Sequence, residues 1–145
     1  MYERFTDQAR SVLRLANDEA TRRGHQFICP EHILLALLNN SSDVAVHLLQ
    51  ASAGDCAGLR QALETQLSGR VPTPTTPQAK PVMERAIQES QNLRHHHAGT
   101  EHLLIALLRE PPIKAAFAAI GVDSEAVRNK ILQAIPLNGS SGPAR

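Results

Sequence analysis

The sequence predicts an all-α fold of eight helices arranged as two pseudo-twofold four-helix repeats. Three observations carry that expectation. The chain repeats itself, its apolar residues recur at helical spacing, and its apolar mass is Leu, Ala, Ile and Val with only 3% aromatics. With 145 residues, 42% of them apolar and 20% charged, it has the composition of an ordinary globular domain.

The repeat is found by sliding the sequence on itself by 70 residues. Thr6, Gln8, Ala9, Ala16, Glu19 and His25 then fall on Thr76, Gln78, Ala79, Ala86, Glu89 and His95. Glu31, His32, Leu34, Ala36, Leu37 and Leu38 fall on Glu101, His102, Leu104, Ala106, Leu107 and Leu108. The register shifts by two across the loops Asn39-Asp43 and Arg109-Pro112, after which Leu59-Arg60 matches Val127-Arg128. The expected organisation is a first repeat over 1–68, a linker over 69–75, a second repeat over 76–135 and a disordered tail over 136–145. Both connecting stretches are rich in Pro, Gly, Ser or Thr, which resist helix and bury little.

Each copy reads as four helices. In the first, Ala9, Val12, Leu13, Ala16 and Ala20 share one helical face, as do Ala79, Val82, Met83, Ala86 and Ser90. Thr6 and Thr76 stand where N-caps are expected, Pro77 suits a first helical position, and Gly24 can close the first helix. The second helix is short and apolar on nearly every side, Ile33 to Leu38 and Leu103 to Leu108, which places it in the middle of a bundle. Length alone does not separate such a run from a buried strand. Pro30 and Thr100 at its start, and Leu and Ala rather than β-branched residues within it, favour helix. Third and fourth helices are expected over 44–53 and 57–68, then over 113–120 and 125–135.

Charge and composition narrow the function. A net charge of +1 gives no pull toward nucleic acid or an anionic membrane, and with no Trp the chain offers no stacking platform for single strands. No stretch approaches the roughly 18 consecutive apolar residues of a membrane span, and the charged N-terminus has no signal-like segment. Cys29 and Cys56 form neither a C-x-x-C pair nor a disulfide framework, so a reducing, cytoplasmic setting is expected. There is no G-x-x-x-x-G-K-[ST] loop for nucleotide and no Ser/His/Asp spacing that recommends a hydrolase, so no enzyme activity and no cofactor are expected.

The repeated unit resembles the N-terminal domain of Clp ATPases, the bacterial unfoldases that feed a protease, most closely the Clp C type. Glu3 through Ala9 is similar to that domain's opening. Gly24-His25 through Leu37, Thr76-Pro77-Gln78-Ala79-Lys80, and Gly99-Thr100-Glu101-His102 through Leu107 are similar to its twin signatures. The resemblance covers about residues 3 to 135. It implies a module that docks protein substrates and adaptor proteins above an ATPase ring and, through it, a protease. The chain would be an excised N-terminal domain or a stand-alone relative. In some members each repeat also reads phosphoarginine. A glutamate pairs with the guanidinium, while a threonine and backbone amides hold the phosphate. Carried over by position, those residues are Thr6 with Glu31, and Thr76 with Glu101. The sequence departs from the pattern where Cys29-Pro30 stands for Gly-Thr, where Arg94 stands for the glycine before His95, and in the loops after the second helix of each copy.

Bland readings stand beside these. Glu31 and Glu101 suit the positive end of a helix dipole, worth about 0.3–1 kcal/mol each. Thr6 and Thr76 are N-caps by default, and Arg22-Arg23 a solvated helix end. Cys29, at a helix start without a plausible base, is weak as a nucleophile. His25, His32, His95 and His102, with His96 and His97, invite a metal-dependent hydrolase. However, Glu-His adjacency is not H-E-x-x-H, and consecutive helical residues face different ways, so no metal is expected. Instead, His32 and His102 are expected to be buried with a local hydrogen bond.

Overall fold

A computed structural model describes residues 2–39, 44–54, 56–69, 72 and 78–135. After a 3₁₀ turn at Tyr2–Arg4 come α1 (Asp7–Arg22), α2 (Pro30–Leu38), α3 (Val44–Ala53) and α4 (Cys56–Ser68). They are followed by α5 (Ala79–Asn92), α6 (Thr100–Leu107), α7 (Pro111–Ala119) and α8 (Ser124–Ala134). Among the described residues the one extended pairing is an isolated parallel bridge between Phe5 and Ala98. The expected tail and all of the expected linker except Gly69 and Pro72 lie outside the described residues.

The buried faces repeat as the sequence does. Ala9, Val12, Leu13, Ala16, Glu19 and Ala20 are buried on α1, and Ala79, Val82, Met83, Ala86, Glu89 and Ser90 on α5, the same positions moved by 70. Every residue of α2 and of α6 is buried, as runs without a polar face require.

Two helix starts differ from expectation by more than one residue, both because of proline. Thr76 and Pro77 lie outside the described residues, but α5 does not begin at Pro77. Gln78 is its extended N-cap (φ −121°, ψ 173°) and Ala79 its first residue. Pro81 explains the later start. Counting from Ala79 it is the third helical residue, where no N–H is needed; counting from Pro77 it would be the fifth, lacking a ladder donor and pressing on a carbonyl. Conversely α7 begins two residues early, because Pro111 and Pro112 fill its first two positions.

The repeats are interleaved. Within each copy the first helix packs on the second, α1 on α2 and α5 on α6. The fourth helix of one copy packs on the third of the other, α4 on α7 and α8 on α3, while α2 meets α6 at the centre. Every such pair has its exchanged counterpart, as a pseudo-twofold requires. Main-chain bonds cross in the same sense. Thr6 N–H donates to Ala98 O (2.9 Å) and Ala98 N–H to Arg4 O (2.8 Å), while Ala79 N–H donates to Ile28 O (2.8 Å), and Ile28 is the counterpart of Ala98. These crossings satisfy donors at the head of each copy that no helix of its own could satisfy. A single apolar cluster therefore takes residues from all eight helices.

The hairpins after α1 and α5 also match. His25 N–H bonds Ala20 O (2.9 Å) and His95 N–H bonds Ser90 O (2.8 Å), each closing its helix through a left-handed residue. In the first copy that residue is Gly24 (φ 76°), but in the second it is Arg94 (φ 60°), the one described non-glycine residue with positive φ. Arg94→Gly is therefore expected to stabilise the fold by up to about 1 kcal/mol, the side-chain strain relieved less the chain entropy a glycine adds. A urea midpoint that moves up at unchanged slope checks it.

Candidate functional site

The residues singled out from the sequence gather at the starts of α2 and α6. Each helix opens on an extended N-cap, Cys29 (φ −103°) and Gly99 (φ −102°), and each uses histidine where a capping box ordinarily uses Glu or Gln. Cys29 N–H donates to His32 Nδ1 (2.8 Å), and Gly99 N–H to His102 Nδ1 (2.7 Å). Behind each histidine stands another. His32 Nε2 lies 3.0 Å from His25 Nδ1, and His102 Nε2 lies 2.8 Å from His95 Nδ1, the rings meeting edge to face. His32 and His102 are thus buried with a local hydrogen bond, as expected. The four repeated histidines do not converge on an ion, since a direct N···N hydrogen bond leaves no room for a metal between the rings. No group of three or more potential ligands occurs among the described residues.

Glu31 and Glu101 occupy the first turns of α2 and α6, and both are buried, at 0% and 5% exposure. The two environments differ. A Cβ built on Gly99 would fall inside contact distance of Glu101 Oε1, so the bare glycine lets that carboxylate fold back over the N-cap. The first copy has Cys29 there, fully buried, its Sγ 3.9 Å from Phe27 O. Thr6 is the N-cap of α1, its Oγ1 accepting from Ala9 N–H (3.2 Å). Thr76, the fourth position carried over, lies outside the described residues. Buried Cys29 and half-buried Cys56 form no disulfide.

Sequence reasoning missed an ionic network at the far ends of α1 and α5. Arg23 is not a solvated helix end. It is half-buried, 2.8 Å from Glu64 and 3.2 Å from Glu19, while Arg22, which is exposed, also pairs with Glu19. Burial pushes the Glu19 carboxyl up, but hydrogen bonds and charge from Arg22 and Arg23 together outweigh it and hold the group below its ordinary range. The Glu64 hydrogen bond raises the Arg23 guanidinium further above its already high value. In the second copy Glu89 meets Arg128 of α8 directly at 2.7 Å, both nearly buried. The identity of Glu19 with Glu89, and of Arg60 with Arg128, was the signal available in the sequence. Arg60, by contrast, reaches Asn39 and the Leu38 carbonyl. Beside this network lies a shallow depression lined by Leu15, Asp18, Glu19, Thr21, Arg22 and Asn39. Leu15 is 43% exposed, and among the described residues Tyr2 and Val44 are the other large apolar side chains left open.

Comparison with known proteins agrees with this geometry. The family model described as "Clp repeat (R) N-terminal domain" matches twice, over residues 4–75 and 74–143. The chain is 36% identical over 143 residues to the chloroplastic chaperone protein ClpC2 of Oryza sativa subsp. japonica, spanning 93% of this chain and 16% of that protein. It is 38% identical over 143 residues to the ATP-dependent Clp protease ATP-binding subunit ClpA homolog of Cyanidium caldarium, spanning 93% and 17%. Among solved structures, the Hsp104 N-terminal domain from Candida albicans superposes with a TM-score of 0.75 at 20% identity, covering 90% of each chain. The N-terminal domain of the caseinolytic protease associated chaperone ClpD from Arabidopsis thaliana gives 0.72 at 20% identity, covering 92% of this chain and 99% of that one. The chain spans about a sixth of the length of these curated relatives.

Proposed function

The chain belongs to the Clp repeat N-terminal domain family, and on that premise we propose that it works as a docking module, presenting a surface to protein substrates and adaptor proteins of a Clp chaperone-protease system. The observation that supports this most is the doubled family match, over residues 4–75 and 74–143. A Clp ATPase ring and its protease are then partners at one remove, whether the domain is joined to the ring or acts alone. The cytoplasm is the compartment this reading implies. No described helix is long and apolar enough to cross a membrane.

The exposed depression around Leu15 is the first place to test. A fluorescently labelled, permanently unfolded polypeptide titrated with the protein is expected to show saturable binding with a dissociation constant on the order of 10 µM, about −7 kcal/mol. Leu15→Asp, a change at an exposed position, is expected to weaken binding about tenfold by placing another charge in the depression. Absence of saturable binding at hundreds of micromolar would sink the docking reading.

Phosphoarginine is the second reading, at Thr6 with Glu31 and Thr76 with Glu101. What supports it is the Glu101 carboxylate lying close over the bare Gly99 N-cap of α6, since a carboxylate suits guanidinium and helix N-terminal N–H groups suit phosphate. Calorimetry with free phosphoarginine tests it. Heat that vanishes in Glu101→Ala supports a site in the second copy, and no heat at millimolar ligand removes the reading.

A further inference from the structure

The two histidine pairs form hydrogen-bond relays whose proton count is fixed by their anchor. A backbone N–H can only donate, so the Cys29 amide requires His32 Nδ1 to be bare, and the Gly99 amide requires the same of His102 Nδ1. In a neutral ring the proton is then on Nε2. It points at His25 Nδ1 in one copy and His95 Nδ1 in the other, so those nitrogens are bare and the outer rings carry their own proton on Nε2. Each relay holds two ring protons. A third has no position that leaves the chain of bonds intact. On His32 Nδ1 it faces the amide hydrogen across 2.8 Å, and on His25 Nδ1 it faces the Nε2 hydrogen across 3.0 Å.

We infer that the paired relays His25–His32 and His95–His102 are an acid-sensitive latch on the N-terminal turns of α2 and α6. Protonation of either relay breaks one of its two hydrogen bonds: on the inner ring it frees the N-cap amide directly, and on the outer ring it removes the bond that fixes the inner ring, so the turn carrying Glu31 or Glu101 loosens. The device is present in both copies with nearly equal distances. It rests on the fold alone and stands whether or not the docking reading holds.

Most charged groups on the packed helices are paired with one another or exposed. Glu19 pairs with Arg22 and Arg23, Arg23 with Glu64, and Glu89 with Arg128, while Arg60 binds Asn39 and Leu38 O at the opposite end of α2. Asp18, Arg14, His47, Lys80, Glu84, Arg85, Lys114, Glu125 and Lys130 are exposed. Glu31 and Glu101 share the first turns with the inner histidines. A window of pH 7.5 to 5.5 lies above the ordinary carboxylate range, and because His47, His96 and His97 are exposed histidines outside the relays, the test reads the Cys29 and Gly99 amides themselves. The sign follows from linkage. The closed relay takes up a further proton only by losing a bond, a cost the opened turn does not bear, so closure weakens as pH falls.

Nitrogen-15 NMR of the intact chain at pH 7.5 is expected to show all four rings as Nε2–H tautomers, with an N–N coupling across each Nε2–H···Nδ1 bond. Between pH 7.5 and 5.5 the exchange protection of the Cys29 and Gly99 amides is expected to fall at least about tenfold, the ratio set by an unperturbed histidine near 6.5. His32→Gln with His102→Gln keeps an acceptor for the amide and a donor for the outer ring without a titrating group, and should flatten that fall. Where the variant does not fold, the wild-type couplings and protection factors decide. An Nδ1–H tautomer at an inner ring, or protection unchanged at pH 5.5, overturns the latch.

Discussion

A polypeptide covering either repeat alone, residues 1–69 or 78–135, is expected to be unfolded in water, with weak helical circular dichroism and no cooperative melt. Separating the copies removes α4 from α7, α3 from α8 and α2 from α6, and leaves the crossed bonds at Thr6, Ala98 and Ala79 without partners. What remains is two helices packed on each other and two with uncovered apolar faces, in a chain too short to close a core of its own. Mixing the two fragments is expected to restore helix content with a concentration-dependent midpoint, as complementation requires. A single repeat that melts cooperatively on its own would show that the interleaving contributes little.

That interleaving was not legible in the sequence, although the repeat was. The 70-residue offset, the apolar faces of α1 and α5 and the wholly apolar α2 and α6 follow from spacing, because a helix places residues three and four apart on one side. Nothing in spacing tells whether Leu59 and Leu63 of α4 cover α2 of their own copy or α7 of the other. In the structure α4 packs on both. Local signals also misled where a second proline overruled the first, as with Pro81 over Pro77. At the site, the N-cap role of Thr6 and the burial of His32 and His102 could be read from helix-start chemistry. The relay to His25 and His95 could not, because it depends on the hairpin that folds residue 25 back over residue 32.

The second large effect is expected at Glu89 and Arg128. Both are nearly buried, they meet at 2.7 Å, and Arg128 Nε has no hydrogen-bond partner among the described residues. Arg128→Met strands a carboxylate in the interior and is expected to cost about 3 kcal/mol or more, because a buried charge without its partner keeps its full desolvation penalty. At this chain length that lowers the thermal midpoint by roughly 6–12 °C. Glu89→Leu with Arg128→Met is expected to recover most of the loss, since the pair's attraction mainly offsets the cost of burying it. In the first copy, Glu19 faces arginines that are largely or partly exposed, and Arg22→Ala is expected to cost under about 1 kcal/mol. A thermal melt of the three variants orders these effects, and a double variant no better than Arg128→Met alone would show that the pair is a net stabiliser.

Exchange of partners between the copies also sets a schedule for the ribosome. The elements that cover α2 and α3 include α6, α7 and α8, so the first copy stays open after its last residue has been made. Synthesis proceeds at about 5–20 residues per second, so the roughly 65 residues still to come take on the order of 3–13 s. Throughout that interval the leucine run from Ile33 to Leu38 is a sticky nascent segment awaiting its complement. Slow codons between the copies would lengthen its exposure to chaperones and to neighbouring chains.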